Sequence, residues 1–309
     1  MPIITPNGLP VNDQLQHEGI SVIPRDRAEH QDIRPLKIGV LNLMPAKQRT
    51  ERQLARLLGH TALQVELILL RTKTYESKNE PREHLETFYR GWEDIAHEQF
   101  DGLIVTGAPV EHMEWNDVGY WKEFRDIHAW SRENVYARMH ICWGAQAALQ
   151  LNYGVEKYPL PSKAFGVYPH RVLKPEHPLV DGFDDEFLVP VSRNTEVRKT
   201  DVERIPEISI IAESDQTGLY LMQSEDGRDT YCPNHPEYGK NTLNDEYKRD
   251  SREQADFPVP YNYFPGDNPG CEPVNRWRAH ARLLYANWLN SSVYQRSPFD
   301  LQQMPRVSA

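Results

Sequence analysis

The chain has 309 residues, of which 39% are hydrophobic, and adding 17 Gly brings it near the globular norm of about 45%. That is enough apolar material for one sizeable core, and it excludes disorder, collagen-like sequence and a small disulfide-stapled scaffold. The net charge is −10 with no basic patch that would track phosphates, so no nucleic-acid partner is expected.

Residues 1–35 are polar and turn-rich and read as an N-terminal arm lying against the body, and residues 1–19 lack the basic-then-apolar pattern of a secretory signal. From Leu36 a repeating pattern begins. Residues 36–43 are a short apolar run, followed by 50–58, where leucines at 54, 57 and 58 have helical spacing. Residues 63–70 are the next strand candidate and 83–97 the next helix. Residues 100–105 form a third strand ending in Thr106-Gly107-Ala108-Pro109; 118–131 is helical, 135–141 a strand and 144–151 a helix. Strands alternating with helices predict an α/β fold with a mostly parallel central sheet flanked by helices. After Tyr153 the texture changes: runs near 165–173, 186–191, 208–213, 218–223 and 229–232 read as smaller strands and hairpins. Residues 241–256 read as a solvated helix. A loop rich in Pro, Tyr and Gly (257–273), whose aromatics argue that it packs, precedes a long amphipathic helix over 274–289. We read one domain over 1–309, with the arm 1–35, a βα half over 36–155 and the remainder over 156–309. No window approaches the roughly 20 apolar residues of a membrane helix. Cys142, Cys232 and Cys271 are too few and too scattered for a disulfide framework. A cytoplasmic protein without a membrane partner is expected.

The sharpest local feature is Met139-His140-Ile141-Cys142-Trp143-Gly144-Ala145-Gln146, where a buried-looking strand ends and a helix starts at once. That is the context of a nucleophile elbow. Gly144 lets the turn approach closely, and the helix N-terminus favours a thiolate at Cys142. A buried structural cysteine is the commoner fate of a lone Cys. Further along, His235-Pro236-Glu237 offers a base and a carboxylate two residues apart, which in extended chain point to one side. In isolation they read equally as a surface His beside a surface Glu. The 106–111 segment follows a parallel strand, where such sheets place ligand sites, and its Gly-Ala turn can present backbone N–H groups to an oxyanion. Together these make a nucleophile–base–orienter set far more specific than any member. Metal binding by Cys232, His235 and Cys271 competes with this reading, but no fourth ligand is evident and no metal is expected.

Across nearly its whole length the chain resembles the MetA family of homoserine O-acyltransferases of methionine biosynthesis. The resemblance is carried by Asp32-Ile33-Arg34-Pro35-Leu36-Lys37-Ile38, Leu41-Asn42-Leu43-Met44-Pro45 and Thr50-Glu51-x-Gln53, then Thr106-Gly107-Ala108-Pro109, Asn116-Asp117-Val118-x-Tyr120-Trp121 and the Cys142 elbow. His235-Pro236-Glu237-Tyr238, Glu246-Tyr247-x-Arg249-Asp250, Asn262-Tyr263-Phe264-Pro265, Trp277-Arg278-x-His280 and Asn287-Trp288-Leu289-Asn290 continue it. The resemblance implies a class I glutamine-amidotransferase-like fold, usually as a homodimer. It implies that Cys142 carries the acyl group from acyl-CoA and that His235 and Glu237 complete a triad. Ala108 and Trp143 then correspond to the oxyanion hole, and Lys163, Ser192 and Arg249 to homoserine contacts. One departure is Pro233-Asn234, where a Thr-Gly pair is often found, which puts the backbone before His235 in question. Without the resemblance, Arg249 and Lys163 would read as ordinary ion-pairing residues.

Glu at position 111 accompanies acetyl-CoA use in this family and Gly accompanies succinyl-CoA. A carboxylate overlooking the acyl pocket repels the distal carboxylate of a succinyl group; at about 4 Å the cost is roughly 1–4 kcal/mol. A solvent-facing Glu111 without a role is the alternative. The expected activity is acetyl transfer from acetyl-CoA to the γ-hydroxyl of L-homoserine through a cysteine thioester, with no permanently bound cofactor. The rivals are O-succinyl transfer and, more distantly, glutamine hydrolysis, although His140 replaces the first Gly of the usual Gly-x-Cys-x-Gly elbow. Lys47, beside Met44-Pro45, receives no role.

Overall fold

Alternating apolar positions on the early strands send side chains to both faces of a central sheet. The computed structural model describes residues 3–17, 22–24, 34–74, 80–254 and 256–304. Asp32 and Ile33 of the first motif, and most of the predicted arm beyond His17, lie outside the described residues. Strands β1 (Ile3–Thr5), β2 (Val22–Pro24), β3 (Leu36–Leu41), β4 (Val65–Arg71), β5 (Tyr89–Gly91), β6 (Phe100–Val105), β7 (Val135–Ile141), β8 (Tyr158–Val172), β9 (Glu186–Glu196), β10 (Ile208–Ser214), β11 (Gly218–Ser224) and β12 (Asp229–Cys232) all belong to one sheet. Its order is β2-β1-β4-β3-β6-β7-β12-β11-β10-β8-β9, with β5 pairing β4 off this path. Pairings from β2 to β12 along this order are parallel; those joining β12, β11, β10, β8 and β9 are antiparallel.

Ile38, Val40, Leu67, Leu69 and Ile104 face one core, which takes in the helix Lys47–Leu58 and the C-terminal helix. Leu41, Ile68, Leu70, Leu103 and Val105 face the other, under the helix Trp121–Asn134. This two-sided burial is why the parallel strands read as near-continuous apolar runs.

Several expectations change. The helix expected over 83–97 is interrupted: Arg82–Phe88 is helical, β5 pairs with β4, and Trp92–Ile95 is a single further turn. The reason is Tyr89, whose hydroxyl donates to buried Glu51 at 2.7 Å and pulls the chain into the sheet. The start of the expected arm is more than an arm, because β1 pairs with β4. The long helix expected over 274–289 is regular over Arg278–Asn287 and then widens, with the Gln295 N–H reaching the Asn290 carbonyl at 3.0 Å. The strands after Tyr153 are longer than their apolar cores: β8 and β9 form one hairpin of 15 and 11 residues. The 257–273 loop packs as expected, burying Tyr263 and Phe264 against Trp277. No helix among the described residues is long and apolar enough to cross a membrane.

Candidate active site

Register brings the ends of four parallel strands to one edge. Leu41 pairs with Val105, Val105 with His140, and Ile141 with Cys232. The segments that follow each strand therefore meet: 42–47, 106–111, Cys142 and 233–238.

Cys142 sits between β7 and the helix Trp143–Tyr153 with φ 51° and ψ −119°. Non-glycine residues rarely adopt such a conformation, and holding it costs on the order of 1–3 kcal/mol. The cost is met by fixed hydrogen bonds: the Cys142 N–H donates to the Cys232 carbonyl at 2.8 Å, and its carbonyl accepts from Ala145 at 3.0 Å. Gly144 makes the turn possible, since a Cβ there would stand 2.8 Å from the Thr106 carbonyl oxygen.

His235 lies opposite. Its Nδ1 is 2.7 Å from Glu237 Oε1, with both side chains buried. The expectation of an extended His-x-Glu is corrected here: the segment is a turn, closed by the Tyr238 N–H on the His235 carbonyl at 3.2 Å. Pro236 suits such a turn by fixing φ. The Tyr238 ring stacks on the imidazole at 4.2 Å. A Cβ on Gly107 would be 3.3 Å from His235 Cε1 and 3.5 Å from Cys142 Sγ, so the thiol and the imidazole bracket that glycine. Burial opposes charge on His235, but the Cys142 thiolate and the Glu237 carboxylate outweigh it and hold the imidazole well above its ordinary pKa.

The departure at Pro233-Asn234 is accommodated by polar contacts. Buried Asn234 accepts from Arg193 Nε at 3.2 Å and contacts His170 Nε2 at 3.0 Å. Arg193 itself is buried and donates otherwise to the Thr195 and Thr217 carbonyls.

A cavity of about 170 Å³ opens over the thiol, lined among others by Met44, Ala108, Glu111, Lys163, Ser192 and Arg249. Trp143 opens its helix, so its N–H belongs to the first-turn donors with no intrahelical acceptor. Lys163, on β8, and Arg249, on the helix Thr242–Glu253, both pair with Asp250, at 2.9 and 2.6 Å. Ser192, on β9, donates to Glu246 at 2.7 Å, and Glu246 accepts from Tyr238 at 2.7 Å on its other oxygen. Glu246 and Asp250 carry no role in the sequence reading, because only the folded chain shows what they hold.

Glu111 is half-buried and lines this cavity. Its carboxylate accepts from the Asn194 N–H at 2.9 Å, the Asn194 amide at 2.6 Å, the Thr195 N–H at 3.3 Å and the Thr195 hydroxyl at 3.2 Å. It is thus a fixed anion tying the 106–111 loop to β9. Lys47 is buried and donates to the Asn42 carbonyl; burial lowers its pKa to about 8.

Cys232 ends β12 with its thiol on the Asn234 carbonyl at 3.6 Å, and burial pushes that thiol's pKa well up. Among the described residues no group of three or more His, Cys, Asp or Glu is placed to hold a metal ion. His140, where glutamine hydrolases carry glycine, is buried with Nε2 2.9 Å from Asp229. A buried thiol on a strained elbow, facing an imidazole held by a carboxylate, is an arrangement that can activate a nucleophile.

Comparison with known proteins gives a family match and a fold match. The family model for homoserine O-succinyltransferase matches residues 2–299. The homoserine O-acetyltransferase of Acetivibrio thermocellus is 51% identical over 98% of this chain and 100% of that protein. Those of Brevibacillus brevis and Agrobacterium fabrum are 50% and 48% identical, over 99% and 100% of this chain and the whole of each relative. Among solved structures, a glutamine amidotransferase from Thermotoga maritima superposes with TM-score 0.56 at 12% identity, covering 83% of this chain and 98% of that one. One from Methylobacillus flagellatus gives 0.50 at 14%, covering 84% and 95%. These structural likenesses show the class I glutamine-amidotransferase-like fold.

Proposed function

The chain belongs to the homoserine O-succinyltransferase family, and from that membership we propose that it is a homoserine O-acetyltransferase of methionine biosynthesis, using acetyl-CoA. The observation that carries the reading is the Cys142–His235–Glu237 set opening onto a cavity whose wall holds Lys163, Ser192, Arg249 and a fixed Glu111.

The Cys142 thiolate attacks the acetyl thioester carbonyl, and the N–H groups of Ala108 and Trp143 hold the oxyanion. Collapse expels the CoA thiolate, which takes the proton from the His235 imidazolium, and leaves acetyl on Cys142. Homoserine then enters; His235 accepts the proton of its γ-hydroxyl as that oxygen attacks the thioester. A second collapse returns the Cys142 thiolate and releases O-acetylhomoserine. Glu237 keeps the imidazole oriented and supports its charge throughout. Arg249 and Lys163 meet the homoserine carboxylate from their shared anchor on Asp250, and Ser192 is aimed by Glu246. No metal takes part in this scheme. On the family likeness we extend the reading to a homodimer acting in the cytoplasm.

Glu111 supports acetyl over succinyl. Its charge is fixed by hydrogen bonds, so it cannot swing away from a second carboxylate in the same cavity. The test is CoA release from acetyl-CoA and from succinyl-CoA, each with and without homoserine, in the parent and in Glu111→Gly. Homoserine-dependent turnover with acetyl-CoA, shifting toward succinyl-CoA in the variant, is expected, with one acetyl group on the Cys142 peptide when homoserine is withheld. A parent that prefers succinyl-CoA would overturn the donor assignment. Ammonia release from glutamine with no acyl transfer would overturn the whole reading.

A further inference from the structure

The Glu111 carboxylate is held as a bound anion would be. Its Oε2 accepts from the Asn194 N–H at 2.9 Å, the Thr195 N–H at 3.3 Å and the Thr195 hydroxyl at 3.2 Å, and its Oε1 from the Asn194 amide at 2.6 Å. All four donors belong to two successive residues of β9.

The Thr195 hydroxyl decides what kind of ligand these donors fit. Its single proton faces two acceptors, Glu111 Oε2 and, at 3.0 Å, Gln146 Oε1. A carboxylate only accepts, whereas an amide offers an N–H in place of its oxygen after a half-turn. The proton therefore goes to Glu111, and Gln146 turns its N–H to the Thr195 oxygen. Arg193, the preceding residue of β9, is buried, donates to the Thr195 carbonyl at 2.9 Å and is drawn electrostatically to Glu111. Lys157 donates to the Glu111 and Met113 carbonyls and adds a second cation. Successive backbone N–H groups, two side-chain donors and nearby positive charge make a seat for a carboxylate.

The seat opens onto the acyl pocket. Glu111, Asn194 and Cys142 line the same cavity of about 170 Å³. The chain also joins them: Gln146, in contact with Thr195, gives its backbone N–H to the Cys142 carbonyl at 3.2 Å. In a succinyl group three bonds separate the thioester carbon from the distal carboxyl carbon. Extended, they span about 3.8 Å, the spacing of consecutive Cα atoms, so both ends of the group belong to this one cavity.

We propose that Asn194 and Thr195 form a carboxylate-binding site that Glu111 fills with its own side chain, and that the same donors take the distal carboxylate of a dicarboxylic acyl group when position 111 is vacated. Asn194 and Thr195 are then specificity-determining residues, and Glu111 excludes succinyl by occupying the site as well as by charge. The inference rests on the acyltransferase reading and adds to it what recognises the far end of the donor's acyl group.

The test separates occupancy from charge. Glu111→Gln is neutral but keeps an oxygen for the Asn194 and Thr195 N–H groups, whereas Glu111→Gly empties the site. Each is assayed with homoserine and acetyl-, butyryl- or succinyl-CoA, butyryl being succinyl with a methyl in place of the carboxylate. A hydrogen bond to a charged group is worth about tenfold or more, so the succinyl-to-acetyl ratio of kcat/KM is expected to rise at least about tenfold in Glu111→Gly. The butyryl-to-acetyl ratio should rise less, and Glu111→Gln should stay near the parent. Asn194→Ala or Thr195→Val added to Glu111→Gly should lower the succinyl ratio again by about tenfold or more, and the butyryl ratio should not follow. Ratios cancel any loss common to all donors. Succinyl gains equal in Glu111→Gln and Glu111→Gly would overturn the proposal. So would no gain in Glu111→Gly, equal gains for butyryl and succinyl, or a succinyl ratio indifferent to Asn194 and Thr195. Acetate reads the site without turnover. At constant ionic strength it should raise the unfolding temperature of Glu111→Gly more than that of the parent, whose site is filled. Glu111→Ala vacates the same site should the glycine variant not fold. Equal shifts in parent and variant, or none, would overturn the site. A parent inactive with every acyl-CoA would sink the acyltransferase reading alone, with the acetate titration still deciding whether the site exists.

Discussion

Gly144→Ala tests whether the elbow works through close approach. A methyl at 144 would sit 2.8 Å from the Thr106 carbonyl oxygen, 3.0 Å from the Val105 carbonyl oxygen and 3.1 Å from Val105 Cγ1, where ordinary contact begins at 3.4 Å. Two of these neighbours are backbone, at the very end of β6, so no side chain can simply rotate away. Relief requires the elbow and the 106–109 turn to part by about half an ångström, the difference between those distances and normal contact. Overpacking of this kind costs roughly 1–3 kcal/mol. Against it, Ala gains up to about 1 kcal/mol over Gly in a helix, so the expected net loss of stability is about 0–2 kcal/mol. Catalysis should suffer more, because the displaced pieces are those that carry Cys142, Ala108 and Trp143. A misplacement of about 1 Å costs on the order of 100-fold, so a kcat/KM for acetyl-CoA lower by roughly 10–100-fold is expected. Urea unfolding and donor-dependence kinetics read the two effects on one preparation. A variant about 1 kcal/mol more stable than the parent, with unchanged kcat/KM, would refute the requirement for close approach.

Glu237→Gln removes one of the two anions that hold His235 charged. The imidazole's pKa is raised, so its proton stabilises the folded site below the ordinary value, and that contribution is lost as pH rises through the raised one. The variant's alkaline limb of kcat/KM for donor is expected to move to lower pH, with a loss of roughly 10–150-fold, the worth of a hydrogen bond to a charged group; a pH–rate profile with an unmoved limb would contradict this. Asp229→Asn addresses stability. Asp229 pairs with Arg138 at 2.7 and 2.8 Å and with His140 at 2.9 Å, all buried. Burial alone would raise its carboxyl pKa, but Arg138 and His140 hold it well below the usual range. Its contribution is therefore present above about pH 4 and lost as pH falls through the depressed value. The variant leaves Arg138 uncompensated, and chemical denaturation near pH 7 should show a loss of about 3–5 kcal/mol.

The first half of the chain was legible because its signals are local. Parallel strands buried on both faces read as apolar runs, and β6 and β7 fall on their predicted residues without shift. The failures have physical causes. Tyr89 has a helix-compatible pattern around it, yet its bond to Glu51, 38 positions away, decides its conformation. His235 and Glu237 meet through a turn and not through the extended segment expected, since either backbone can bring i and i+2 side chains together. Glu246 and Asp250 stood in a recognised motif without a role, because what they hold, Ser192 and Lys163, arrives from other strands.

The candidate site draws on both halves of the chain. Cys142, the Trp143 amide and the 106–109 turn come from segments before residue 156, and the paired His235 and Glu237 from after it. The wall opposite the thiol, by contrast, is assembled from β8, β9 and the helix Thr242–Glu253, which supply Lys163, Ser192 and Arg249. Likeness to glutamine amidotransferases at 12–14% identity reaches the fold and no further, and in the proposed function it is that wall which receives the acyl acceptor. Glu111 joins the two parts: it stands on the loop of the first half and is anchored by four hydrogen bonds to β9 in the second. A substitution there therefore changes the charge facing the acyl chain and loosens the wall facing the acceptor at the same time. In Glu111→Gly a higher KM for homoserine should accompany any gain in succinyl transfer, because one side chain serves both.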